Sequence, residues 1–195
     1  MRKTFCFSKA RVSLPLFAFA LLFAVSCSRQ PAPKPTTSQP PASAGSQTLT
    51  GRVVRIADGD TITVLDATNT QHRIRLQGID APESHQAFGT QSKKNLSDMV
   101  FDKDVTAVCD KTDQYGRLVC KILLNDKDVN LEQVKAGMAW HYKEYQREQS
   151  AEDRELYARA EDEARNARRG LWTDADPIEP SAFRREQKRE REDAR

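Results

Sequence analysis

Residues 52–77 read RVVRIADGDTITVLDATNTQHRIRLQ, and apolar residues alternate with polar ones in three short runs of this stretch. Turn residues separate the runs at 58–60 and at 67–70. A period of two is typical of strands with one buried face, and Asp, Gly, Asn and Thr favour the turns between such strands. We therefore predict a meander of three strands at 52–57, 61–66 and 71–77.

Two more strands and three helices are predicted further along the chain. The strands are expected at 104–109 and 117–124, where the alternation returns. The helices are expected at 91–100 after the cap Thr90, at 129–136 before the stop Gly137, and between the cap Ser150 and Gly170. Strands followed by a helix-rich part predict an α+β domain, a small five-stranded antiparallel barrel buttressed by three helices, at about 49–172.

The N-terminal segment has the layout of a secretory signal peptide at 1–26. Its first part is basic and the run 14–25 is apolar, which is shorter than the ~20 residues that span a bilayer. The tetrapeptide at 24–27 resembles the lipobox of bacterial lipoproteins, with Ala24 where Leu is usual, so that Cys27 would be lipidated. The alternative is ordinary signal cleavage beside an incidental cysteine. Either reading predicts export to the cell envelope or the medium.

A Pro-rich tether and a weak net charge limit how the protein meets nucleic acid. Residues 27–48 are rich in Pro, Ser, Thr and Ala, and such composition does not bury enough apolar surface to fold. Four of the 31 basic residues and none of the 28 acidic ones precede Cys27, so the remainder carries a net charge of −1. Binding to phosphates must therefore be local rather than spread over a basic surface.

The C-terminal extension, 173–195, is densely charged and has no apolar residue after Phe183 except Ala194. Lys188 with Glu192, and Arg189 with Asp193, are spaced as opposite-charge pairs on one face of a helix. Because the charges are mixed in sign, a solvated terminal helix is favoured over an RNA-binding arm. The sequence assigns this segment no function.

Charged residues collect where three of the predicted strands end or begin. They occur in DGDT at 58–61, in RLQGIDAPE at 75–83 and in TDQYGR at 112–117. Arginine holds two phosphate oxygens with its planar fork, carboxylates with a backbone carbonyl suit calcium, and a further glutamate can activate water. Each motif alone is also an ordinary turn or a structural ion pair.

Together, these motifs resemble the staphylococcal nuclease (thermonuclease) family. They occur in that family's order with VNLEQVKAGMAW at 129–140 and ARRGLW at 167–172, over about 120 residues. The resemblance implies the family's OB-like five-stranded barrel with three helices. It also implies Ca²⁺-dependent hydrolysis of DNA and RNA to 3′-phosphorylated products, by a protein that is a monomer by analogy.

The resemblance also assigns roles to individual positions. Asp60 and Asp80 match calcium carboxylates, the backbone carbonyl of Ala81 completes the protein ligands, and Asp58 matches an acidic residue in the outer shell of the metal. The remaining matches are the general base Glu83, the phosphate-binding Arg75 and Arg117, and the substrate contacts Tyr115 and Tyr142. Gln114 replaces a basic residue of the type enzyme, which affects the expected substrate affinity rather than the chemistry.

Two other classes of function remain open from sequence. The same barrel can serve as an inactive nucleic-acid or peptide binding module, and an envelope lipoprotein can be purely structural. The complete set of catalytic positions favours the nuclease over both.

Two cysteines lie on the last two predicted strands, in phase with apolar neighbours. Cys109 and Cys120 should both face the core, either as a cross-strand disulfide or as two buried thiols. The three histidines, His72, His85 and His141, lack metal-ligand spacing and are expected at surface or packing positions.

Overall fold

The computed structural model describes residues 46–195, so the predicted signal peptide, Cys27 and nearly all of the predicted tether lie outside the described residues. Within the described part, no helix has both the length and the apolar character needed to cross a membrane.

The described chain has eight strands, most of them before the second helix, and a helix-rich C-terminal part. The strands are β1 (Gln47–Ile56), β2 (Thr61–Asp66), β3 (Gln71–Leu76), β4 (Ile79–Asp80), β5 (Asp104–Thr112), β6 (Leu118–Leu124), β7 (Lys127–Asp128) and β8 (Trp140–His141). The α-helices are α1 (Gly89–Val100), α2 (Val129–Lys135), α3 (Ala151–Asn166) and α4 (Pro180–Asp193), and short 3₁₀ helices lie at Lys143–Glu148 and Gly170–Thr173.

Five strands close into a barrel. The main sheet has the order β3-β2-β1-β5-β6-β7, and an additional pairing of β3 with β6 joins its two sides. This confirms the predicted α+β fold with an OB-like barrel. One detail differs from the antiparallel prediction, because β3 and β6 run parallel, with Leu76 opposite Cys120. In sequence, β4, α1 and β5 lie between the two strands, and such a long connection permits a parallel pairing.

The predicted meander is present, with β1 and β3 both antiparallel to β2. Val53 lies opposite Val64 and Ile62 lies opposite Ile74, and all four side chains are buried inside the barrel. Burying each such side chain stabilises the fold by about 1.5–3 kcal/mol. The first strand begins at Gln47, inside the segment predicted as tether, because its N-terminal part pairs with β5 from Gln47 opposite Cys109 onward.

Helix boundaries follow local capping in two cases and tertiary packing in the third. Ser150 accepts a hydrogen bond from the backbone N–H of Asp153 at 3.0 Å, which confirms the predicted cap of α3. Gly137 has φ +67 just after α2, as a glycine stop requires. The prediction of Thr90 as a cap was wrong. Helix α1 already begins at Gly89 after Phe88, whose left-handed φ of 64 accompanies packing of its ring on the second core.

That second, smaller core lies beside the barrel. It joins Trp140 of β8 to Ala164 of α3 and to Leu171 and Trp172, and the two indole rings meet edge to face with centroids 4.3 Å apart. The guanidinium of Arg165 lies 4.4 Å from the centre of the Trp172 ring. This core attaches α3 to β8, whose other partner is the strand that carries Asp80.

Candidate active site

The turn between β1 and β2 holds the first carboxylates of the site. Asp60 is buried, and its Oδ2 accepts a hydrogen bond from the backbone N–H of Ala81 at 2.7 Å. Asp58 caps the same turn by accepting from the N–H of Asp60 at 3.1 Å. A side chain at Gly59 would collide with the hydroxyl of Ser92 on α1. The turn is therefore packed tightly against the helix, which fixes the position of the Asp60 carboxylate.

Arg75, near the end of β3, lies between two carboxylates. Its Nη2 donates to Oδ1 of Asp80 at 2.9 Å, and its Nη1 forms an ion pair with Oδ2 of Asp60. The backbone is tied at the same place, because the N–H of Leu76 donates to the carbonyl of Asp60 at 2.8 Å. A bidentate guanidinium with two buried carboxylates is rigidly oriented. The predicted phosphate-binding arginine and the two predicted calcium carboxylates are thus neighbours in space.

Asp80 is held at the base of the site by a small sheet. It is 2% exposed and lies on the two-residue strand β4, opposite Trp140 of β8. Glu83 follows on the loop after β4, and its N–H donates to the side-chain oxygen of Gln86 at 3.1 Å. The Glu83 side chain is about one third exposed, so it borders solvent as a group that handles a water molecule must.

Arg117 enters the cleft from the β5–β6 connection. Its Nε donates to Oδ2 of Asp113 at 2.7 Å, while Oδ1 of Asp113 accepts from the backbone N–H groups of both Tyr115 and Arg117 at 2.9 Å. Desolvation opposes ionisation of Asp113, but these hydrogen bonds outweigh it and lower the pKa of its carboxyl below the usual value. Asp113 therefore shapes the loop and positions Arg117, a role that the sequence did not reveal.

An open cleft of about 740 Å³ brings most of the predicted site residues together. Its walls include Asp58, Asp60, Arg75, Ala81, Glu83, Tyr115, Arg117 and Tyr142. Asp80 is absent from this lining because its carboxylate lies beneath the guanidinium groups of Arg75 and a second arginine, Arg184. Residues from five separate parts of the chain thus come together on one face of the barrel.

The aromatic residues lie at the cleft wall in two settings. Tyr115 is 71% exposed, and the guanidinium carbon of Arg117 lies 5.3 Å from its ring centre. Tyr142 is less exposed, and burial together with the charge of Asp80 raises its pKa to about 12. Its ring centre lies 4.9 Å from that of Tyr145, another cleft residue, which the sequence did not single out.

Cys109 and Cys120 are joined by a disulfide. The two residues lie directly opposite each other on β5 and β6, with Cα atoms 4.0 Å apart. The bridge closes the connection that carries Asp113, Tyr115 and Arg117. It thereby restrains the base of the loop that forms one wall of the cleft.

No group of three or more His, Cys, Asp or Glu side chains within residues 46–195 is arranged to hold a metal ion. The predicted calcium set has only two side chains, Asp60 and Asp80, together with a backbone carbonyl. Its hard oxygen donors fit the chemistry of calcium. The Arg184 guanidinium is bound to both oxygens of Asp80. This carboxylate therefore attracts a positively charged group.

Arg184 is the principal residue that sequence reasoning missed. It lies on α4, more than 100 positions from its partners, and contacts both Asp80 and Glu83. No local pattern distinguishes it from the other basic residues of the extension, because its partners are set only by where α4 lies on the barrel.

Comparison with known proteins defines the class. A family model described as staphylococcal nuclease homologue matches residues 73–174. A Haemophilus influenzae protein described as an uncharacterized endonuclease is 45% identical over 139 residues, 71% of this chain and 75% of that protein. A Shigella flexneri protein described as micrococcal nuclease is 40% identical, over 71% of this chain and 82% of that protein. A probable staphylococcal-like nuclease of Oryza sativa is 39% identical over 64% of this chain, but only 32% of that protein.

The barrel, its charged cleft and these relatives define a nuclease, a hydrolase whose substrates are nucleic acids. The chain belongs to the family of staphylococcal nuclease homologues.

Proposed function

We propose that this protein is a calcium-dependent endonuclease that hydrolyses phosphodiester bonds of DNA and RNA and leaves 3′-phosphorylated products. The observation that carries the proposal is the position of Arg75 between Asp60 and Asp80, in the cleft that Glu83 and Arg117 also line. The arginines that line the cleft, Arg75 and Arg117 among them, are suited to a substrate that is itself an anion, and the acidic side chains beside them are suited to a metal ion.

The metal would be held by Asp60, Asp80 and the backbone carbonyl of Ala81, with Asp58 in the outer shell. When bound, a calcium ion supplies positive charge that offsets the charge gathering on the phosphate oxygens. The two side-chain ligands are both buried and are separated only by the Arg75 guanidinium. Calcium tolerates irregular sets of oxygen ligands, so two carboxylates held in place beside one backbone carbonyl are suited to bind it.

Glu83 would act as the general base. A water molecule beside it loses a proton to the carboxylate as its oxygen bonds to phosphorus, and the bond from phosphorus to the 5′-oxygen breaks. The departing 5′-oxygen takes up a proton, and the phosphate stays on the 3′ side. Arg75 and Arg117 would hold the non-bridging oxygens and stabilise the charge that develops on them.

Tyr115 would contact a terminal phosphate of the bound nucleotide, and Tyr142 would stack on a base. An aromatic ring can stack on any base, and the cleft beside it is open. Acceptance of both DNA and RNA, with little dependence on sequence, follows from such binding.

The test is cleavage of single-stranded DNA and of RNA by the purified protein, with calcium and then with EGTA. Glu83→Gln should lower kcat by about 10²- to 10⁴-fold, while Glu163→Gln, at an exposed position of α3, should leave it unchanged. Product ends that a 3′-phosphatase converts to hydroxyls would support the assigned bond. Cleavage by Glu83→Gln at the wild-type rate, or undiminished cleavage in EGTA, would refute the proposal.

We also propose that the protein is exported and anchored to a membrane through a lipid on Cys27, and that it acts as a monomer. The Cys109–Cys120 disulfide supports export, because disulfides persist mainly in oxidising compartments. The test is labelling with a fatty-acid analogue of the wild type, of Cys27→Ser and of the control Cys6→Ser. Label retained by Cys27→Ser would overturn the anchor.

A further inference from the structure

The C-terminal helix α4 and the segment before it contact the catalytic cleft at several places. The side-chain amide of Gln86 donates to the carbonyl of Ile178 at 2.6 Å, just before the helix begins. Pro180, the first residue of α4, is buried. One turn further on, Arg184 reaches the carboxylates of Asp80 and Glu83. These contacts hold α4 and the segment before it against the cleft.

Arg184 binds these carboxylates with both of its terminal nitrogens. Nη2 donates to Oδ2 of Asp80 at 2.9 Å, and Nη1 donates to Oδ1 of Asp80 at 3.1 Å and to Oε1 of Glu83 at 2.8 Å. Arginine stays protonated at physiological pH. The guanidinium is therefore a fixed positive charge on the two acids.

These two acids are the ones that the proposed reaction needs. Arg75 donates only to Oδ1 of Asp80, whereas Arg184 also occupies Oδ2, the oxygen that would otherwise be open to a cation. A cation at Oδ2 and the Arg184 guanidinium compete for the same position and repel each other. While the contact lasts, Oε1 of Glu83 is also occupied by Arg184 and is not open to a water molecule.

Helix α4, which supplies Arg184, lies beyond the residues that the family model matches. The family match ends at residue 174, and α4 begins at Pro180. In α4, Pro180 is the only buried residue, Ala182 and Phe183 are half-buried, and the helix contributes no residue to either hydrophobic core. Its docking therefore depends on polar contacts that water and ions can replace, and such contacts are reversible.

We propose that α4 is an autoinhibitory latch, in which Arg184 occupies Asp80 and Glu83 and competes with the divalent cation for the site. The inference rests on the proposed function, since it takes Asp80 as a metal ligand and Glu83 as the base. Calcium at sufficient concentration displaces Arg184, releases α4 and frees the cleft for nucleic acid. The enzyme is thereby restrained where calcium is scarce.

Calorimetric titration of the full chain with calcium tests the competition. Arg184→Ala should bind calcium about three- to tenfold more tightly than the wild type, the range expected for losing a partly exposed ion pair. Arg184→Lys should lie between the two, because lysine keeps the charge but loses the fork. The matched control is Arg185→Ala, which removes an equal charge from the next position, where the nearest carboxylate, of Glu144, is 4.0 Å away. It should bind calcium as the wild type does.

Hydrogen exchange of the α4 amides gives a second readout that does not depend on activity. Calcium should speed exchange across 180–193 in the wild type, and in Arg184→Ala exchange should already be fast without calcium. Equal calcium affinity in Arg184→Ala and wild type, with calcium-dependent cleavage intact, would overturn the latch alone. Absence of calcium binding and of cleavage in both proteins would instead refute the nuclease proposal together with the latch.

Discussion

Arg75 donates from Nη2 to Oδ1 of Asp80 across 2.9 Å. The end of β3 and a turn at Gly78 lie between the two residues in sequence. The strand presents the arginine from one side, and the small sheet of β4 and β8 presents the carboxylate from the other. Because the same guanidinium also pairs with Asp60, one side chain fixes the spacing of both acids that we assign to the metal.

Arg75→Lys should retain the fold but lose about 10²-fold or more in kcat. A lysine keeps the positive charge but has no fork to span two carboxylates or two phosphate oxygens. The measurement is steady-state cleavage with circular dichroism as the check on folding. The matched control is Arg73→Lys, two positions earlier on β3 and on the cleft wall, where a loss of less than tenfold is expected. An Arg75→Lys enzyme with wild-type kcat would remove this arginine from the mechanism.

Asp113→Asn should raise KM for nucleic acid by about tenfold while leaving the free energy of unfolding within about 1 kcal/mol. The amide can still accept from the loop N–H groups, but its NH₂ replaces the oxygen that holds Nε of Arg117. Initial rates over a range of substrate concentrations check the expected change. The prediction is contradicted if KM is unchanged, since Arg117 would then be positioned without Asp113.

Removal of the disulfide in Cys109→Ser/Cys120→Ser should lower the free energy of unfolding by about 2–4 kcal/mol. The bridge joins residues 11 positions apart and restricts the unfolded chain. Urea denaturation of the double variant and of the reduced wild type measures the loss, and the two should agree. Unfolding midpoints equal to that of the oxidised wild type would mean that the bridge adds no stability.

Gly59→Ala should lower the free energy of unfolding by about 1–3 kcal/mol and reduce activity, because the added methyl group collides with Ser92 and Ala81 in a packed turn. Gly116→Ala is the control, since its added methyl group meets nothing within 4 Å and adds only the strain of its positive φ. Thermal unfolding compares the two. A smaller loss at Gly59 than at Gly116 would show that the turn can relax.

Acidification below about pH 6.5 should destabilise the protein through His141. Burial lowers the pKa of this imidazole, against the opposing effects of Gln149 and Glu161. The unfolded chain therefore takes up a proton at pH values where the folded chain does not, and stability falls as the pH falls. Urea denaturation at pH 7.5 and at about 5.5 should show a smaller loss for His141→Gln than for the wild type. A loss of the same size in both would assign the pH dependence to other groups.

Local patterns were sufficient for most of the elements. The alternation at 52–77 predicts β1 to β3, because period two survives in any sheet with one buried face. Ser150 predicts the start of α3 because a cap acts on its own helix. The Phe88 start of α1 escaped prediction because packing against Trp140 and Trp172, distant in sequence, determines it.

The same contrast between local patterns and long-range contacts applies to the candidate site. The sequence by itself determined the three charged motifs, their order, and hence the residues Asp60, Arg75, Asp80, Glu83 and Arg117, since each motif is local. Only the tertiary structure determined the parallel closure of β3 on β6 and the contact of Arg184 with Asp80 and Glu83. The closure and the Arg184 contact join residues far apart in the chain. Long-range contacts of this kind depend on how the whole barrel buries its apolar surface, which no local stretch of residues specifies.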